Sequence, residues 1–242
     1  MMTRESTMRR GRGALAVALG LLTAAIAWRP VVAAADVPYP TMAPVSHYLV
    51  ASRAEEIRVA RSAAPASIAD QASVLVLGAH GYETAVTGTN GFVCIVGRSW
   101  DMSFASPQFW NPKIRTPECF NATSARCVLP RYLTRTERVL AGMSKADMQK
   151  HEAADRAAGR LKPPEPGAVC YMLSKDGYIN DAAGGPWHPH VMYFAPRTDD
   201  AGWGANLPDS PIASDSTSYD ETTIFFVVVP NWSDGTPAPL HK

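Results

Sequence analysis

Two histidines lie two residues apart in the stretch 184–196, which reads GGPWHPHVMYFAP. In an extended strand alternate side chains share a face, so His188 and His190 would point the same way, about 7 Å apart along the chain. Pro189 removes a backbone donor and favours extended backbone at His188, which indicates a strand start, a sheet edge or a bulge. Two imidazoles in this arrangement suit a shared metal ion.

A catalytic zinc site needs a third protein ligand and an open position for water. The segment GAHGYE offers His80 and Glu83 at the end of a predicted strand, between glycines that let a backbone come close. The metal hypothesis is therefore a zinc ion held by His188, His190 and His80, with Glu83 as general base. The metal would lower the pKa of its bound water to about 7, as in metal-dependent hydrolases.

Two other interpretations of the histidine pair stay open. The imidazoles would either hydrogen-bond within the sheet beneath Trp187 and Tyr193, or contribute to a ligand site or acid–base role that contains no metal. The helix segment with His151, Glu152 and Asp155 is close to a zinc-protease helix, but Asp155 stands where that motif has its second histidine. A solvated helix face is the preferred interpretation there.

Aromatic and amide side chains in WGAN and NWSDG form a second candidate cluster. Together with the histidine stretch, the predicted ligand-binding residues are Trp187, His188, His190, Trp203, Asn206 and Trp232. Glycine-containing turns explain the WGAN and NWSDG patterns equally well.

Several classes of protein are excluded by missing motifs. The chain has no G-x-S-x-G, no serine three positions before a lysine, no P-loop and no dinucleotide-binding glycine pattern after a strand. Residues 36–242 carry 18 basic and 21 acidic side chains, a formal net charge of −3. That charge argues against a nucleic-acid partner or an anionic membrane surface.

The N-terminal segment of the chain predicts export. Residues 1–35 have a basic start, a 15-residue apolar segment and a small-residue site AAA, which together are typical of a signal peptide. The apolar segment is shorter than the ~20 residues of a membrane span, although an uncleaved N-terminal anchor is the alternative. We expect a linker at 36–45, one domain at 46–230 and a loose tail at 231–242, in the periplasm or secreted.

All four cysteines lie outside the predicted signal peptide, and an even number in an exported chain favours disulfides. Four cysteines allow three pairings. We predict Cys94–Cys119, which ties a predicted strand to the following loop, and Cys127–Cys170. The alternative is that some of the four are buried free thiols.

The hydrophobic pattern predicts an α+β domain with a single antiparallel sheet of about five strands and helices packed on it. Helices are predicted at 47–62, 131–142 and 145–159, the last beginning at Ser144 with Asp147 in a near capping box. Strands are predicted at 72–78, 168–174, 188–195 and 223–229. Asn90-Gly91 predicts a hairpin within 73–97, and 99–130 is predicted to be an irregular loop packed on the domain.

This order of elements resembles the PAS and Cache sensor domains, in which one sheet carries a ligand pocket on one face. The stretches GTNGFVC, FWNPK, PWHPHVMYF, WGANLP and WSDGTP resemble those of a group of exported bacterial proteins that has no assigned function. That second resemblance covers most of residues 65–237 and implies export without implying a chemistry.

The sequence thus supports an exported, soluble single-domain protein that binds a small ligand or a protein partner. The rival is the metal-dependent periplasmic hydrolase with His188 and His190 as ligands. A third interpretation is a structural or interaction protein whose histidines only satisfy the sheet.

Overall fold

The structure is a computed structural model that describes residues 38–216 and 221–239. The predicted signal peptide at 1–35 lies outside these residues. The helices are α1 Arg53–Arg61, α2 Ala66–Ala69, α3 Ala122–Cys127, α4 Leu129–Leu140 and α5 Lys145–Ala157. The strands are β1 Ser73–Leu77, β2 Tyr82–Val86, β3 Val93–Gly97, β4 Thr116–Phe120, β5 Val169–Met172, β6 His190–Pro196, β7 Ile212–Asp215 and β8 Thr222–Val228.

The strands form one sheet in the order β2-β1-β3-β4-β5-β6-β8-β7. Every neighbouring pair is antiparallel except β1 and β3, which run parallel. The α+β class is confirmed. The expectation of an antiparallel sheet of about five strands is wrong, because the described residues form a mixed sheet of eight.

Helices cover both faces of this sheet. Because alternate strand residues point to opposite faces, Cys94 and Val96 of β3 pack under α1 and α2, whereas Ile95 packs under α3 and α4. Helix α5 lies against α4, where Met148 and Val139 share a third cluster with Trp100. The capping prediction is confirmed, since Ser144 Oγ accepts a hydrogen bond from Asp147 N at 3.1 Å.

The predicted hairpin at Asn90-Gly91 is wrong. Strand β1 lies between β2 and β3, so the segment with Asn90 and Gly91 crosses the beginning of β1. Asn90 Nδ2 donates to Ile68 O at 2.8 Å, which ties the crossing to α2. The hairpin in this region joins β1 to β2, where Gly78 N donates to Gly81 O at 2.7 Å.

The predicted linker and tail are attached to the domain where the structure describes them. Tyr39 donates to the Asp181 carboxylate, and Tyr48, fully buried, donates to Trp110 O at 2.8 Å. After β8, Ser233 N donates to Leu173 O at 2.9 Å. Residues 38–48 and 231–239 therefore belong to the folded unit.

One buried ion pair joins a helix to the sheet, and a second joins two helices. Arg98, at the end of β3, donates to Glu56 of α1 at 2.8 Å, and both side chains are almost completely buried. Arg135 of α4 binds Glu152 of α5 through two hydrogen bonds, of 2.5 and 2.6 Å. None of the helices in the described ranges has the length and apolar character that crossing a membrane requires.

Candidate functional site

The histidine pair is part of an aromatic contact at the beginning of β6. His190 is buried, and its Nδ1 donates to His188 O at 2.7 Å. Its ring centroid lies 4.7 Å from that of Trp187 and 5.7 Å from that of Phe226. Burial lowers the pKa of His190 to about 4, so the imidazole is neutral at physiological pH. This environment suits a packed, hydrogen-bonded side chain.

The third predicted ligand lies far from this pair. His80 is exposed in the turn between β1 and β2. Four strand spacings separate β1 from β6, which amounts to about 19 Å. Glu83 is exposed on β2 and forms an ion pair with Arg53. The structure therefore does not bring the predicted ligands and base together, and no group of three metal-binding side chains occurs within 38–216 and 221–239.

The predicted aromatic cluster is divided between two turns. Trp203 precedes β7 and stacks on Phe225 with ring centroids 4.4 Å apart. Asn206 has a φ of 59°, and its Nδ2 donates to Ser214 Oγ at 2.8 Å, so its amide closes the turn before β7. Trp232 belongs to the turn after β8, where its N donates to Thr236 O at 2.9 Å. These residues stabilise turns and do not form one pocket rim.

The cysteines divide into one disulfide and two thiols. Cys94 and Cys119 stand opposite each other on β3 and β4 and form the predicted disulfide. The predicted Cys127–Cys170 bond is wrong, because both are buried free cysteines. Cys127 Sγ donates to Thr123 O at 3.2 Å and accepts from Glu165 N at 3.3 Å.

A cavity of about 220 Å³ lies between the 103–105 loop, α4, α5, the 161–164 segment and strands β6 and β8, and none of the predicted ligand-binding residues lines it. Its charged lining residues are Arg131, Arg135, Arg156, Lys162 and Glu152. Its larger apolar lining residues are Phe104, Val128, Leu161, Pro164, Phe194 and Ile224. The lining therefore combines four cationic side chains and one carboxylate with an apolar surface.

Arg135 forms a rigid part of the wall. Besides its two bonds to Glu152, its Nη1 donates to Trp100 O at 2.9 Å and to Met102 O at 2.7 Å. The guanidinium lies 4.2 Å over the Phe104 ring. All of these contacts are buried in the protein. The positive charge of Arg135 and the negative charge of Glu152 therefore largely neutralise each other.

Three other cationic side chains line the cavity. Arg131 lies 4.7 Å over the ring of Tyr132. Arg156 forms an ion pair with Glu152 at 3.9 Å, and its side chain is 19% exposed. Lys162 is exposed. Beyond the Arg135–Glu152 pair, the lining thus contains three further cationic side chains, and low-dielectric walls strengthen their electrostatic interactions.

The sequence carries a partial indication of this site. Arg131 and Arg135 are four residues apart on the predicted helix 131–142, and Glu152 and Arg156 have the same spacing on the next helix. The interpretation of Glu152 and Asp155 as a solvated face is wrong, because both are buried and ion-paired, Asp155 with Arg138 and Arg160.

Comparison of the chain with family models, with curated proteins and with solved structures yields no match.

Proposed function

We propose that this protein binds a small organic anion in the cavity between α4, α5 and strands β6 and β8. The observation that carries the proposal is the composition of the lining, in which four cationic side chains and one carboxylate surround a space with polar and apolar walls. A cavity of about 220 Å³ lies below the ~300–1,000 Å³ typical of sites for drug-sized ligands. The ligand is therefore small.

The burial and exposure of the lining residues indicate how the ligand is oriented. Phe194 and Ile224 are buried on the sheet, whereas Lys162 and, in part, Arg156 reach solvent. The apolar body of the ligand would pack on the strand residues, and its anionic group would lie at the rim. Arginine suits that role because its planar donors match a carboxylate, phosphate or sulfonate in two hydrogen bonds.

The position of the cavity agrees with a sensor-like or carrier-like binding protein. It lies against one face of the sheet, as the ligand pocket of a PAS-like or Cache-like domain would, and residues 103–105 of the long 99–115 segment form part of its cover. If residues 1–35 direct export, the ligand is a solute of the periplasm or the cell exterior. No described residue cluster favours the metal-dependent hydrolase.

Arg156→Gln tests the proposed site against a matched control. We expect affinity for benzoate, hexanoate and benzenesulfonate to fall about tenfold or more, because one charged hydrogen bond contributes roughly 1.5–3 kcal/mol. Lys150→Gln removes the same charge from the same helix, but Lys150 is 79% exposed and absent from the lining. Calorimetric titration should show wild-type affinity for this control.

Each anion is compared with an uncharged counterpart, for example benzoate with benzamide. The proposal predicts that the charged member of each pair binds more tightly to the wild type. If no anion binds more tightly than its neutral counterpart, or if the two variants lose affinity equally, the proposed site is wrong.

A further inference from the structure

Two buried carboxyl groups lie close together beside Gly97 of β3. A Cβ placed on Gly97 would lie 2.8 Å from Glu118 Oε1 and 3.2 Å from Asp101 Oδ2, so these two oxygens are at most about 6 Å apart. The same Cβ would lie 2.3 Å from Thr116 Oγ1, which is why this position of β3 is glycine. Glu118 and Asp101 are 4% and 5% exposed, so water does not separate their charges.

Neither carboxyl group is fully hydrogen-bonded. Asp101 Oδ2 accepts from Arg98 N at 2.8 Å, but Asp101 Oδ1 and Glu118 Oε2 have no partner among the described residues. An ionised carboxylate with an unpaired buried oxygen is costly, and two such charges in one space repel. Burial, with the neighbouring Asp101, raises the pKa of Glu118 to about 8, and burial raises that of Asp101 to about 6. At neutral pH Glu118 therefore holds a proton.

The titratable and charged groups that interact with the carboxyls lie on β2, β5 and α4 and directly after β3. The cations are Arg98, Arg131 and Arg135, and the weak acids are Tyr82, Tyr132 and Cys170. Burial raises the pKa of both Tyr82 and Cys170 well above the usual range, so these two stay neutral when the carboxyls titrate. Arg98 and Arg135 each bind a carboxylate elsewhere, on Glu56 and Glu152.

Arg131 connects the carboxyls with the cavity. It lines the cavity, and its guanidinium lies over the ring of Tyr132, whose side chain hydrogen-bonds to Glu118. Its positive charge lowers the pKa of both Asp101 and Glu118, in opposition to burial. One guanidinium thus faces a ligand space and also stabilises the ionised carboxyls.

We infer that binding of an anion in the cavity is coupled to uptake of a proton by the Asp101–Glu118 pair. The inference rests on the proposed function, and it names the regulation of that site. An anion beside Arg131 compensates the charge that stabilises the ionised carboxyls, so near pH 8, where part of Glu118 is ionised, Glu118 takes a proton from solvent. Because coupling is reciprocal, protonation of Glu118 in turn strengthens anion binding.

The test is calorimetric titration of the wild type with benzenesulfonate, benzoate and hexanoate in two buffers of different ionisation enthalpy. These anions and the arginines keep their charge between pH 7 and pH 9, so any pH dependence in this range comes from other groups. We expect uptake of a fraction of one proton near pH 8, and an affinity about three- to tenfold lower at pH 9 than at pH 7.

Two variants locate the proton. Glu118→Gln copies the shape of the protonated carboxyl, so it should bind the anion without proton uptake and with less than about a twofold change over this pH range. Lys162→Gln should weaken binding and leave the proton uptake of the wild type in place.

The outcomes distinguish the two proposals. Anion binding to the wild type with no proton uptake contradicts the coupling and leaves the anion site standing. Proton uptake that persists in Glu118→Gln also overturns the coupling through this pair. Failure of all three anions to bind contradicts both proposals, and the wild-type measurement decides this even if Glu118→Gln does not fold.

Discussion

Single residues show how burial decides what a titratable group does in this fold. His190, Glu118 and Asp101 are all buried, and in each case burial favours the neutral form. His190 remains a packed neutral imidazole beside Trp187. Glu118 differs because a cation that lines the cavity lies near it. The same physical effect therefore gives a structural residue at β6 and a proton-binding residue at β4.

His190 should weaken the fold in acid. The unfolded imidazole binds a proton below about pH 6.5, but the native one does so only near pH 4. The contribution of neutral His190 to the free energy of unfolding is therefore fully present above pH 6.5. It is lost as the pH falls towards 4, by an amount on the order of 2–3 kcal/mol.

His190→Phe, which keeps an aromatic ring beside Phe226, should remove this part of the pH dependence. Urea unfolding of the variant and the wild type at several pH values between 4 and 7 measures it. The wild type should lose stability relative to the variant as the pH falls from 6.5 towards 4. A constant difference between the two proteins over that range would contradict the account of His190.

Among the elements, helices α4 and α5 are held together by a buried ion pair. Arg135 joins its own helix to Glu152 and to the carbonyls of Trp100 and Met102, and this contact shapes the cavity wall. Since the guanidinium is 3% exposed, it depends on its carboxylate partner. The geometry of the proposed site therefore depends on this ion pair.

Glu152→Gln should destabilise the protein by about 3–5 kcal/mol, because it leaves a buried guanidinium without a counter-charge. The matched control is Glu165→Gln, which breaks an exposed ion pair with Arg126 and should cost less than about 1 kcal/mol. Urea unfolding of both variants compares the losses. Equal small losses would show that the buried pair does not hold the helices.

The sequence predicted elements where periodicity was strong and failed where context decides. Strands β1, β5, β6 and β8 are short apolar segments and were predictable. Strand β4 was missed because its sequence, TPECF, contains a proline and a glutamate, yet all five of its residues are buried. The Asn90-Gly91 turn has hairpin chemistry, but pairing of β1 with β3 overrides it.

At the scale of the whole molecule, the proposed site is a product of long-range packing. Phe104, Arg131, Arg156 and Ile224 line one space although 120 positions separate the first from the last. No local spacing predicts such a set. The histidine pair and the WGAN and NWSDG stretches attracted attention because their residues are close in sequence, and the fold uses them for packing and turns.

The sheet provides the frame for this arrangement. Helices α1 and α2 cover one face beside the Cys94–Cys119 disulfide, and α3 and α4 cover the other. Near strands β6 and β8, helix α5 and the 161–164 segment also cover this second face. The cavity lies where they meet the two strands. The buried carboxyls lie on β4 and beside β3, behind Arg131.

A crystal structure with 4-bromobenzoate would show whether an anion binds in the cavity, because the bromine locates the ligand by its anomalous signal. The account predicts bromine density against Phe194 and Ile224, with the carboxylate within hydrogen-bond distance of Arg156 or Arg131. Bromine density at another site, with the arginine-lined cavity empty at saturating ligand, would contradict it.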